Sequence, residues 1–387
     1  MVNREVSPSE ASIIQRHMPE LDVLRGCAIL AVLLYHGLYW SGATSSIRII
    51  DLLMKASVVG WLGVNLFFIL SGFLITGILI DTKGRADYYG RFYYRRVLRI
   101  LPAYVAMLAL LLLVRWLNLP SLLLCLLFLA NFPRLFQHFK LGVYGPFWSL
   151  SVEEQFYLVW PAIVARVSVR TLAWISLGLC IVEPILRLCV SAWHLPIGEV
   201  HTATYLISDN LALGALAAIF GRSRYGTCAN SVKLGAALCA LGAAIFFAGV
   251  PFGIMHRTNL VGDALQTVPW NIFFLGMLLL LLGLRSPVMA GRLTAPLRFF
   301  GYISYGLYLL HVLIFVRYDD VLRMMADSPL KHVLHQPINR FLVCVSISVL
   351  LAWLSRSFYE ERFLRMGRAP SQPIPAASVP ESSTASS

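Results

Sequence analysis

Val58-Val59-Gly60-Trp61-Leu62-Gly63-Val64-Asn65-Leu66-Phe67-Phe68-Ile69-Leu70-Ser71-Gly72-Phe73-Leu74-Ile75-Thr76-Gly77-Ile78-Leu79-Ile80 runs for 23 residues without a charged side chain. As a helix it is about 35 Å long at 1.5 Å per residue, enough to cross a hydrocarbon core of about 30 Å. Nine further apolar runs complete a set of ten: 22–40, 100–117, 150–166, 171–190, 203–220, 232–252, 267–284, 301–317 and 340–358. The whole chain agrees, with 58% hydrophobic residues, 13% charged residues and a mean hydropathy of +0.72. Soluble domains carry about 25% charged residues, so the excess apolar surface must face lipid. The expected fold is therefore all-α, a polytopic transmembrane bundle. The polar N-terminal segment 1–20 leads straight into the first run with no small-residue cleavage site, which reads as an uncleaved helix.

The Lys and Arg residues set the orientation. An eleventh run, 119–132, is shorter and lies between Pro120 and Pro133. With ten spans, one face of the membrane collects twenty basic residues against eleven, Arg25 inside the first helix being set aside. Six of the twenty fall within 81–100: Lys83, Arg85, Arg91, Arg95, Arg96 and Arg99. Counting 119–132 as a span would divide the basic loops between the two faces, against the positive-inside bias. Both termini are thus expected in the cytoplasm of a bacterial cell, with 119–132 as a re-entrant or interfacial piece. The same bias accounts for the net charge of +13 without a nucleic-acid partner. The Pro- and Ser-rich residues 367–387 read as a disordered tail. The seven cysteines form no CxxC pair and have no zinc-ligand spacing, and no metal is expected.

Ionisable groups inside spans are costly, so each is a functional candidate. The first helix carries Asp22, Arg25 and His36. Arg25 and His36 are eleven residues apart, about 16 Å along the axis and within about 20° of one face. Placed by depth, His36, Glu153 or Glu154, Asp209 and His311 all fall in the outer half, with Asn65 in the outer half of the second span and Trp148-Ser149 opening the fourth. A histidine beside carboxylates can take a proton from a hydroxyl near neutral pH, the carboxylate fixing its tautomer. The same set also suits a proton relay in a transporter or flippase of a glycan or lipid-linked substrate, and a lone buried His36 could simply hydrogen-bond a neighbouring helix. At the cytoplasmic surface Arg95, Arg96 and Arg99 cluster, with Arg96 and Arg99 one turn apart. That pair suits phosphate, although topogenic charge alone would also put arginines there. Phosphate binding at one face and a His–carboxylate site toward the other fit a long donor with a phosphorylated head, such as coenzyme A.

Over about residues 20–365 the chain resembles the acyltransferase-3 family of membrane acyltransferases. The resemblance rests on Leu21-Asp22-Val23-Leu24-Arg25-Gly26 with His36, on 63–76, and on Arg96-x-x-Arg99. It also rests on Trp148-Ser149-Leu150-Ser151-Val152-Glu153-Glu154-Gln155-Phe156-Tyr157 and Ile303-Ser304-Tyr305-Gly306-Leu307-Tyr308-Leu309-Leu310-His311. It implies a transmembrane acyltransferase domain over 21–366 that moves an acyl group, usually acetyl, from acyl-CoA to a hydroxyl of a carbohydrate or other small acceptor. It further implies that Arg25 and His36 are essential and that Arg96 and Arg99 serve the donor. Glu153 or Glu154 is expected to orient His36, leaving open whether transfer is direct or passes through an acyl-histidine. The family usually carries an arginine two residues before Asp209; Ile207 stands there, leaving a role for Asp209 open. The chain is read as ending without the hydrolase-like domain fused to some members, so the acyl group would pass to the acceptor directly or to a separate partner.

Overall fold

The computed structural model describes residues 11–42, 47–132, 146–194 and 201–367. Among them, backbone pairing outside helices and turns is limited to an isolated bridge between Ser12 and Thr227. The helices in chain order are α1 (Pro19–Leu34), α2 (Arg48–Ala56), α3 (Gly63–Thr82), α4 (Tyr88–Leu113), α5 (Leu119–Leu126), α6 (Phe147–Arg166), α7 (Val169–Ala192) and α8 (Thr204–Ile207). They continue with α9 (Asp209–Gly221), α10 (Cys228–Gly249), α11 (Leu260–Leu265), α12 (Thr267–Leu284), α13 (Ala295–Met324), α14 (Pro329–His335), α15 (Pro337–Leu354) and α16 (Glu361–Met366). The protein is an all-α polytopic bundle.

Each of the ten expected runs is helical, and eight helical stretches are long and apolar enough to cross a membrane. The other two differ for separate reasons. Helix α6 has 20 residues but carries Glu153 and Glu154 in its middle. Helix α9 has 13 residues, about 20 Å, and the one-turn α8 precedes it across a break at Ser208. The third span also starts earlier than its apolar run. Helix α4 begins at Tyr88, so Arg91, Arg95, Arg96 and Arg99 lie on its first three turns and not in a loop. Within 119–132 the only helix is the eight-residue α5, about 12 Å long, which cannot span. Part of the expected tail, 368–387, and residues 1–10 lie outside the described residues.

Helices in lipid gain nothing from hiding apolar side chains from one another, so they associate where backbones approach closely. Paired glycines mark several crossings, and two of them position the polar interior. On α1 and α13, a Cβ at Gly26 would lie 2.0 Å from the Leu297 carbonyl oxygen, and one at Gly301 2.1 Å from that of Asp22. On α3 and α9, a Cβ at Gly72 would meet the Leu211 oxygen at 2.0 Å, and one at Gly214 that of Ile69 at 2.1 Å. The first crossing fixes Arg25 against α13; the second fixes Ser71 at the centre of the bundle. The outer surface is apolar, as Ile181, Val182 and Ile185 of α7 illustrate.

The α3–α9 contact leaves no room for a side chain at position 72. Gly72→Val is expected to cost about 1–3 kcal/mol or more through overpacking, lowering the thermal midpoint of the detergent-purified protein by several degrees. An unchanged midpoint would mean the two backbones are not docked this closely.

Candidate active site

Three cavities follow one another through the bundle and share walls. The first, of about 510 Å³, opens beside the start of α4. Six arginines line it (Arg25, Arg91, Arg95, Arg96, Arg99, Arg356) against three carboxylates (Asp22, Asp87, Glu360). Some of this charge is already paired. Arg25 meets Asp22 at 3.1 Å, Arg356 meets Glu361 at 3.4 Å, and Arg95 Nε donates to the Gly367 carbonyl at 3.1 Å. Arg96 is held over the Tyr157 ring, 5.1 Å from its centroid, and forms no ion pair among the described residues. Arg96 and Arg99 both line this cavity, as their one-turn spacing predicts. Tyr305 steadies the α4 wall by donating to the Ile100 carbonyl at 2.8 Å.

The second cavity, of about 180 Å³, shares Arg25, Ile78, Arg96, Arg99, Ser304 and Tyr305 with the first. Glu153 lines it and accepts a 2.7 Å hydrogen bond from Ser71, to which Tyr157 also donates at 3.2 Å. Ser149 and Tyr308 close its far side, joined at 2.6 Å. The third cavity, of about 200 Å³, shares Val64, Phe68 and Tyr308 with the second and holds His36, Asn65 and Trp148 in its wall. Asn65 donates to Asn271 at 2.8 Å.

His36 sits in a five-residue π turn, Tyr35–Tyr39, that continues α1. Such turns often occur at functional positions. The next helix over supplies its partner: His311 Nε2 is 3.2 Å from His36 Nδ1. The tautomers follow from the surrounding acceptors. His311 Nδ1 faces only the Leu307 and Tyr308 carbonyls, at 3.2 and 2.7 Å, so it carries the proton and leaves Nε2 as an acceptor. His36 Nδ1 then meets two acceptors, His311 Nε2 and the Val32 carbonyl at 3.0 Å, so it carries a proton too. The lone pair of His36 is therefore on Nε2, which forms no hydrogen bond among the described residues. That is the atom a general base or nucleophile needs free.

This corrects the expected orientation of His36 by Glu153 or Glu154. Glu153 pairs with Ser71, whereas His36 shares its cavity with Asn65, six residues back along α3 and so about 9 Å away along the axis, and neither carboxylate hydrogen-bonds His36 among the described residues. Glu153 instead lies in the field of Arg96, Arg99 and Arg25. Glu154 lines none of the three cavities. The histidine is oriented by a second histidine and main-chain carbonyls.

Asp209 is settled by a residue that the sequence reading passed over. Arg187 of α7 is 1% exposed and donates to Asp209 Oδ2 at 2.8 Å, to the Leu206 carbonyl at 2.5 Å and to the Ala264 carbonyl at 2.9 Å. Glu183, one turn before it, accepts from the Asp209 amide at 2.7 Å and from Ser208 Oγ. This network pins the α8–α9 break to α7, and Arg187 reaches the wall of the third cavity. The signal was present: Glu183 and Arg187 are ionisable residues within the run 171–190, and the rule that singled out His36 applies to them equally.

The acyltransferase-3 family, described as an acyltransferase domain, matches residues 18–356. The chain belongs to this family. Relatives are more distant. The chain is 26% identical to a Bacillus subtilis (strain 168) protein named, provisionally, peptidoglycan O-acetyltransferase YrhL, over 91% of this chain and 56% of that one. It is 25% identical to O-acetyltransferase OatA of Staphylococcus aureus (strain NCTC 8325 / PS 47), over 91% and 58% respectively. A 32% match to peptidoglycan O-acetyltransferase OatA of Listeria monocytogenes covers 38% of this chain and 24% of the relative. The chain thus spans little more than half the length of the relatives that it matches throughout. No solved structure matches.

Removing the Arg187 guanidinium would strand two buried carboxylates. Arg187→Met is expected to cost about 3–5 kcal/mol, as for other broken buried ion pairs, and Arg187→Met/Asp209→Asn to recover part of it. Thermal unfolding of both variants checks this, and an Arg187→Met protein as stable as the parent would contradict the network.

Proposed function

We propose that this chain is a membrane-embedded acyltransferase that moves an acyl group, acetyl in the first instance, from acyl-CoA to a hydroxyl of a cell-wall carbohydrate. The observation that carries the reading is the succession of three cavities that share walls, with an arginine cluster at one end and an uncommitted His36 Nε2 at the other. Guanidinium groups bind phosphate through charge-assisted, bidentate hydrogen bonds, so the donor's phosphates rest on Arg96 and Arg99, with Arg95 at the rim. The donor's extended arm fills the second cavity, between Ser71, Tyr157 and Tyr308, and brings its thioester toward His36. The basic bias of the segments at the arginine end supports a cytoplasmic position for that end, where acyl-CoA is made.

In the transfer step His36 Nε2 takes the proton of the acceptor hydroxyl as its oxygen attacks the thioester carbonyl. The resulting imidazolium shares its Nδ1 proton with His311 Nε2 and the Val32 carbonyl. Collapse of the tetrahedral intermediate breaks the C–S bond, and the proton on Nε2 passes to the departing thiolate, giving ester, free thiol and neutral His36. Arg25, paired with Asp22, holds the junction of the first two cavities. The carbohydrate acceptor is inferred from the relatives' printed names, and the aromatic wall of the third cavity supports it: Tyr35, Trp40, Trp61 and Trp148 are flat faces of the kind on which sugars stack.

Two measurements test the two ends separately. Acetyl-CoA at 100 times its Kd is expected to add about 2.7 kcal/mol of stability, an effect reduced with dephospho-coenzyme A and in Arg96→Ala/Arg99→Ala. His36→Gln is expected to keep that stabilisation while losing about 10²–10⁴-fold in transfer rate. Folded protein that no acyl-CoA stabilises would rule out this donor.

A further inference from the structure

Resting on that reading, which makes the third cavity the acceptor site, we infer that Arg257 is an anion anchor and that the acceptor it selects carries a negative charge on or next to its sugar.

The third cavity contains two guanidinium groups with opposite circumstances. Arg187 is saturated by Asp209 and two carbonyls. Arg257, in the loop before α11, uses only Nε, which donates to Gln266 Oε1 at 3.0 Å. Its guanidinium is stacked over Trp61, 4.4 Å from the ring centroid, which fixes its plane. It has no ion pair among the described residues, so both terminal nitrogens are free for a planar, two-pronged contact.

The charge of Asp263 acts on Arg257, but among the described residues no carboxylate forms an ion pair with it. None of the described residues lining the cavity is an acid. The carboxylate closest in sequence, Asp263 on α11, is already committed, accepting from Ser191 at 2.5 Å and meeting His201 Nε2 at 3.1 Å. His201, on the cavity wall, is pulled down to about 4 by burial and by the charge of Arg257, so it is neutral at physiological pH. Among the described residues that line the cavity, Arg257 is therefore the fixed charge without an ion pair. Two wall residues, Asn210 and Thr267, each keep a buried polar atom without a hydrogen-bond partner, which again fits a site built for a polar occupant.

A guanidinium on an indole face, among further aromatic rings, matches a sugar that stacks on the rings and presents an anion at its edge. A carboxylate on the sugar and a phosphate at its anomeric carbon share this chemistry.

The test is binding to the purified full chain, read by intrinsic tryptophan fluorescence with the midpoint of thermal unfolding as a second readout. The probes are an N-acetylmuramic acid disaccharide, its carboxamide, N-acetylglucosamine 1-phosphate and neutral chitobiose. At least one anionic probe is expected to bind about tenfold tighter than its neutral counterpart, a difference of about 1.4 kcal/mol. Which one does so identifies carboxylate or phosphate. Arg257→Gln is expected to abolish the difference and Arg257→Lys to restore part of it, with ligand-free midpoints only slightly lowered, since an exposed contact such as that with Trp61 contributes little to stability. Equal binding of charged and neutral probes, or a preference that survives Arg257→Gln, overturns the inference. Binding that depends on Arg257 without acyl transfer to any bound sugar would instead sink the acyltransfer reading and leave the anion site standing.

Discussion

In hydrocarbon no water is available to satisfy a polar side chain, so each one in this bundle must be met by another group or face an internal cavity. The arrangement of the interior follows from that requirement. Arg187 is met by Asp209 and two carbonyls, and Glu183 by the start of α9. His311 is met by its own helix and by His36. Several groups without full pairing line the cavities: Arg96 and Arg99 at one end, His36 Nε2 and Arg257 at the other.

The paired glycines make the second contribution. Close approach of α1 to α13 puts Arg25 beside the start of α13 and, further along the same two helices, His36 beside His311. One crossing therefore places the residue at the junction of the first two cavities and the pair in the third. The π turn at Tyr35–Tyr39 then presents His36, held by Arg340, which donates to the Gly37 carbonyl at 2.8 Å while pairing with Asp319.

The bundle was legible in the sequence because long apolar runs permit few alternatives. The arginine pair was legible because its spacing is helical. Arg25 and His36 were legible because charge inside a span is conspicuous. The pairing of His36 was not. Depth estimated from each helix separately carries an error of a turn or more, and fewer than two turns decide whether Glu153 or His311 is the neighbour. The guanidinium for Asp209 was missed for a related reason: it comes from α7, and no local pattern around Ile207 announces a partner from another helix. Arg257 and His201 lie in connections without periodicity, where sequence shows composition but not what faces a cavity.

The central claim is that donor and acceptor enter from opposite ends of one line of wall-sharing cavities. Sealed proteoliposomes test it most directly, selected for molecules whose arginine end faces outward and loaded with an impermeant carbohydrate acceptor. The account predicts that labelled acetyl-CoA added outside acetylates the acceptor inside, and that Arg96→Ala/Arg99→Ala abolishes this. Acetylation only when donor and acceptor share one side of the membrane would contradict it.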